Sequence, residues 1–186
     1  MVAGAIQRLI RVVFTQVPWM HWLVIGALSF ALIVFLLIRN RHSVYGAICF
    51  GLSIFLGLFL LDTAVAIRWN DGVTHQTGFD FAAEYHRLMD GGVGRWTEML
   101  ANVAVFIPFG FFLSEFLSTT KRFAPKCLIG RVALAAFGLS LCVESFQLIF
   151  RLGVFEITDL VLNTLGGFVG ALISVGLRKV VVERRH

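Results

Sequence analysis

Hydrophobic residues in this chain fall into long, nearly unbroken blocks separated by short polar segments. Five such blocks run over roughly residues 18–39, 44–67, 97–117, 127–150 and 159–177. Each is close to the ~20 residues of helix that cross the apolar core of a bilayer. Backbone N–H and C=O groups in that medium must find partners within their own segment, which selects helix over open strand. The pattern predicts an all-α fold: one integral membrane bundle of about five transmembrane helices over residues 1–186. Ahead of the first block, Gln7, Arg8, Arg11 and Gln16 interrupt the apolar residues, while Ile6, Leu9, Ile10, Val13 and Phe14 recur at helical period. This reads as an N-terminal amphipathic helix lying on the membrane surface, not as a cleavable signal peptide. The single long polar stretch, residues 70–96, is rich in Gly, Asp and Thr and reads as a loop with a short helix around Asp80–Met89.

Composition agrees with the pattern. Hydrophobic residues make up 58% of the 186 and charged residues only 15%, too little polar surface to cover a soluble core of this size. Mean hydropathy is +0.85. Cys49, Cys127 and Cys142 show no CxxC spacing, and the histidines (His21, His42, His75, His86, His186) are dispersed, so neither a disulfide framework nor a metal site is expected. Nothing in the sequence calls for a cofactor.

Basic residues are retained on the cytoplasmic side of a membrane. Placing residues 39–43, 118–131 and the C-terminal tail inside puts Arg39, Arg41, Lys121, Arg122, Lys126, Arg131, Arg178, Lys179, Arg184 and Arg185 there. The remaining six, Arg8, Arg11, Arg68, Arg87, Arg95 and Arg151, then lie outside. The expected protein is therefore multi-pass, with its N-terminus outside, its C-terminus cytoplasmic and the 70–96 loop extracytoplasmic. The net charge of +5 reflects this bias and gives no ground for nucleic-acid binding.

With that orientation, polar residues of four spans converge on one depth. Glu144, Gln147 and Arg151 stand at i, i+3 and i+7 on one face of the fourth span, over about 10 Å of helix. Asp159 and Asn163 stand at i, i+4 at the start of the fifth. Asn102, with Glu98 one turn earlier, opens the third, and Asp62 and Thr63 close the second. Each residue alone has a plain structural explanation. Asn163 can bridge two helices, Asp159 can cap one, and Arg151 can reach the phosphate layer. Their coincidence suggests a shared polar cavity in the outer leaflet, since ionisable groups at membrane depth mark functional sites with a nameable partner. Candidate ligand-binding residues are Asn102, Glu144, Gln147, Arg151, Asp159 and Asn163, with Glu144 and Asp159 as the candidates for acid–base catalysis. Because an unpaired charge at that depth is costly, Arg151 is expected to pair with at least one of these acids. Gly166 and Gly170 form a GxxxG suited to close helix packing, and Pro108 removes a backbone hydrogen bond and is expected to kink the third span.

Three blocks carry a family resemblance: NVAVFIPFGFFL with Asn102, Pro108 and Gly110; ESFQL with Glu144 and Gln147; and DLVLNTLGGFVG with Asp159, Asn163, Gly166, Gly167 and Gly170. Their order and spacing resemble the VanZ-like family of bacterial membrane proteins over a core of about 97–175. The family pattern places an arginine about six residues before the aspartate, where this chain has Gly153; Arg151 stands two positions earlier, and Glu156 falls where an acid is frequent. The resemblance implies a cell-envelope protein associated with resistance to teicoplanin, a lipid-tailed glycopeptide acting outside the cytoplasmic membrane.

Three functional classes follow. The first is a protein that binds or redistributes a membrane lipid, a lipid-linked envelope precursor or a lipoglycopeptide. The second is a membrane enzyme using Glu144 and Asp159 on such a substrate. The third is a non-catalytic assembly or accessory subunit, working with a membrane-protein partner or as a homo-oligomer. No activated nucleophile and no GxSxG or metal motif supports the enzyme, so the binder is the leading expectation.

Overall fold

A computed structural model describes residues 18–38, 43–70, 85–86, 89–90, 92–120, 124–152 and 155–183, without the side chains of 64–70, 92–95, 97–98, 120 and 181–183. Helices dominate them: α1 Trp19–Ile38, α2 Val44–Asn70, α3 Gly92–Thr120, α4 Pro125–Ile149 and α5 Ile157–Glu183. All five are long and apolar enough to cross a membrane, so the chain is an all-α, multi-pass membrane protein. The amphipathic helix expected over residues 1–17 lies outside the described residues.

Several helices outrun their apolar blocks. Helix α2 continues to Asn70, α3 already begins at Gly92, and α5 runs on to Glu183. The polar stretch expected as loop over 70–96 therefore yields both its ends to helix. Hydropathy marks the immersed part of a helix, whereas the i→i−4 hydrogen-bond ladder continues into the polar interface unaided. Of the short helix expected over Asp80–Met89, Tyr85, His86 and Met89 are helical, as is Asp90, and the rest lies outside the described residues. Helix α3 passes through Pro108 without ending, the loss of a single ladder bond being tolerated inside a bundle.

Helix α5 is the centre of the arrangement. It packs most extensively on α3 and next on α4, while α2 covers the far side of α3 and α1 leans on α2. Lipid offers no hydrophobic drive for helices to associate, so close packing must supply the attraction. Glycine provides it here. A Cβ on Gly166 would meet the backbone oxygen of Val103, one on Gly170 that of Ile107, and one on Gly110 of α3 the backbone of Gly167. The backbones of α3 and α5 thus touch along a short seam, and Gly167 also lies against Ala136 of α4. Beside the seam, Phe106, Phe109 and Ala136 form a small core with Leu56, Leu60, Val105, Leu113 and Leu139 packed around it.

Candidate functional site: a polar cluster at the start of α5

The turn between α4 and α5 sets the geometry of the cluster. Helix α4 closes through two bonds, from the Arg151 N–H to the Leu148 carbonyl (3.2 Å) and from the Leu152 N–H to the Gln147 carbonyl (2.7 Å). This is the Schellman pattern, whose left-handed residue is usually glycine. Here Arg151 occupies it, with φ of 56°. Leu152 turns inward and is buried, while Arg151 is exposed. The chain then returns to begin α5 at Ile157.

Glu144 receives that return. Its carboxylate, only 2% exposed, accepts the backbone N–H of Glu156 through Oε2 at 2.9 Å. Glu156 immediately precedes α5, and its own carbonyl accepts the Leu160 N–H at 3.4 Å. Asp159 stands in the first turn of the same helix and accepts the Asn102 amide through Oδ1 at 2.7 Å. Two carboxylates are thus gathered at the N-terminal end of α5, where the helix dipole and unsatisfied N–H groups favour negative charge. One turn deeper, Asn163 donates to the Ser140 hydroxyl of α4 at 2.9 Å. The Asn163 carbonyl oxygen is buried and has no hydrogen-bond partner among the described residues.

Of the six residues singled out from sequence, the structure joins Asn102 to Asp159, seats Asn163 a turn below and buries Glu144 and Gln147 on the neighbouring face of α4. Arg151 is the exception. Among the described residues no acid pairs with it, so the expected ion pair is not formed. Its left-handed backbone carries Arg151 to the exposed side of the turn, while Glu144 accepts the Glu156 backbone N–H. Asp62 lies apart from them, its Oδ1 2.9 Å from His21 Nδ1 of α1. Among the described residues no group of three potential metal ligands gathers.

A second polar cluster was not anticipated from sequence. Glu115 of α3 accepts the Tyr45 hydroxyl at 2.8 Å and the Ser174 hydroxyl at 2.6 Å, with Arg178 Nε 3.4 Å away. Ser174 also contacts Ser114 at 2.8 Å, and Arg178 donates to both serines. The signal was present in the sequence: Asp159, Asn163, Ser174 and Arg178 share one face of α5 with the glycines, and Glu115 is a lone acid in an apolar run.

Together these features define a multi-pass helical membrane protein with a buried polar cluster at the start of its central helix. The chain belongs to the VanZ/LLP1 family, which it matches over residues 66–178. The match thus takes in the 70–96 stretch as well as the three blocks downstream. Over 77 residues the chain is 42% identical to Protein VanZ of Enterococcus faecium, an alignment covering 41% of this chain and 44% of that protein. The chain therefore spans less than half the length of the curated relative it matches. No solved structure matches.

Proposed function

We propose that this protein binds or redistributes a lipid or lipid-linked envelope molecule through the Asn102–Glu144–Asp159–Asn163 cluster. In the orientation given by its basic residues, that cluster lies at the outer leaflet of a bacterial cytoplasmic membrane. One observation carries the reading. Asn163 is 8% exposed, yet its carbonyl oxygen lacks a protein partner among the described residues. A buried polar atom left without a partner costs about 1–3 kcal/mol. A ligand donor or a lipid-borne hydroxyl, amide or amine would satisfy it. Envelope precursors, phospholipids and lipid-tailed glycopeptides such as teicoplanin all present such groups beside acyl or polyprenyl chains. The carboxylates of Glu144 and Asp159 are held by hydrogen bonds at the start of α5, which suits positioning better than proton transfer.

The test is lipid mass spectrometry on protein purified into nanodiscs. Wild type should retain a lipid species enriched over the host membrane, and Asn163→Ala and Asp159→Asn should lose it while melting within a few degrees of wild type. Identical lipid profiles for all three proteins would sink the proposal.

A further inference from the structure

We propose that Glu115, with Tyr45, Ser174 and Arg178, forms a latch on which α5 closes one end of the bundle, and that α5 rocks on the glycine seam between this latch and the Asn102–Asp159 contact. The latch is built from different residues from the ligand reading above and extends it, because rocking would open one end of the α3–α5 interface while the other stays shut.

Three observations lead there. First, the two clusters bind the same pair of helices at opposite ends. Asp159 and Ser174 are separated by about 20 Å along α5, and Asn102 and Glu115 by a similar length of α3. Second, the clusters differ in completeness. Both oxygens of the Glu115 carboxylate have protein partners: Tyr45 on Oε2, and Ser174 and Arg178 on Oε1. Glu115 is 5% exposed, and Ser114 and Ser174 are fully buried. A satisfied network of this kind needs no ligand and instead ties the start of α2 and the ends of α3 and α5 together. The Asn163 side of the other cluster is not satisfied in this way. Third, the region between the clusters is the backbone-on-backbone contact of Gly166 and Gly170 with Val103 and Ile107, and of Gly110 with Gly167. With backbone rather than interdigitated side chains making most of the contact, and Phe106 as the side chain against Gly166, the crossing angle can change with little repacking of rotamers. The crossing lies midway along α5 and serves as the pivot.

The chain carries its own reporter of the latch. Cys49 is 2% exposed and lies one turn along α2 from Tyr45, whereas Cys127 and Cys142 are exposed. The experiment uses the full-length protein in nanodiscs, with Cys127→Ser and Cys142→Ala substituted, and follows the rate of Cys49 alkylation by a water-soluble maleimide. Glu115→Gln should speed it about fivefold, the ratio that losing one such hydrogen bond gives to an opening equilibrium. If Glu115→Gln does not accumulate, Tyr45→Phe, which removes only the hydroxyl, must give the same acceleration. A parallel protein in which Cys49 is replaced by Ala and Val143, buried near the other cluster, is replaced by Cys reads the opposite end. Acceleration at Cys49 with unchanged or slower labelling of the Val143→Cys protein supports the latch and pivot. Acceleration at both ends is general loosening and overturns the proposal, as does a Cys49 rate that neither Glu115→Gln nor Tyr45→Phe moves. Neither readout involves a ligand, so failure here leaves the lipid-binding test to stand or fall separately.

Discussion

Asn102 of α3 and Asp159 of α5, 57 positions apart in sequence, are joined by a 2.7 Å hydrogen bond from amide to carboxylate. The bond fixes the start of α5 against α3 just beyond the glycine seam and holds the carboxylate at the positive end of its own helix. A double-mutant cycle with Asn102→Ala and Asp159→Ala should give a coupling of about 1 kcal/mol, within the range for an ordinary hydrogen bond and for polar contacts between membrane helices. Additive losses in detergent melting would mean that the contact adds nothing to the stability of the bundle.

The glycine seam makes a contrast within single helices. Gly166→Leu and Gly170→Leu should destabilise strongly, by more than about 3 kcal/mol, because the new side chain must displace the α3 backbone rather than a flexible tip. Gly138 and Gly176 have open space where a Cβ would go. Gly138→Ala and Gly176→Ala should be neutral or raise stability by up to about 1 kcal/mol through helix propensity. Equal effects at both pairs of positions in a melting series would place the crossing elsewhere.

Arg151 separates stability from function. A non-glycine residue in the left-handed region is strained by about 1–2 kcal/mol, partly offset by the greater freedom glycine has in the unfolded chain. Arg151→Gly should therefore raise the melting temperature slightly, by about 0.5–1 kcal/mol in free energy. Should the exposed guanidinium contact a phosphate-bearing ligand, the same variant should lose the retained lipid. A variant that is less stable than wild type would contradict the strained-turn account.

The outer-leaflet assignment has its own measurement. Thr77→Cys, in a protein whose native cysteines are replaced, should be labelled in intact cells by a membrane-impermeant maleimide, and His186→Cys only after lysis. The reverse pattern would invert the topology and move the Asn102–Asp159 end to the cytoplasmic leaflet.

In cells, Glu144→Gln, Asp159→Asn and Asn163→Ala should accumulate as folded protein yet fail to restore a deletion strain in a glycopeptide-susceptibility or envelope-stress assay. Loss of folded protein in proportion to loss of complementation would assign the cluster to the stability of the bundle instead.

The sequence by itself determined the class of fold, because solvent decides it locally: a block of about twenty apolar residues must form a helix in lipid whatever its neighbours do. It also marked Asn102, Glu144, Gln147, Asp159 and Asn163, since a polar group in such a block stands out without any knowledge of packing. Which partner each one takes was decided only in three dimensions. Helix spacing puts Asp159 and Asn163 on one face, but the contact order of α3, α4 and α5 assigns Asn102 to the first and Ser140 to the second. Arg151 is the sharpest case. Its charge and its i+7 spacing from Glu144 suggest an ion pair, yet α4 ends at Ile149, two residues short of it, so the helical face does not extend that far. The left-handed turn that closes α4 exposes the arginine, and Glu144 accepts the backbone N–H of Glu156. The Glu115 cluster follows the same rule, for its members come from three helices whose ends meet only when α5 settles onto α3 through glycine, an approach set by side chains that are absent.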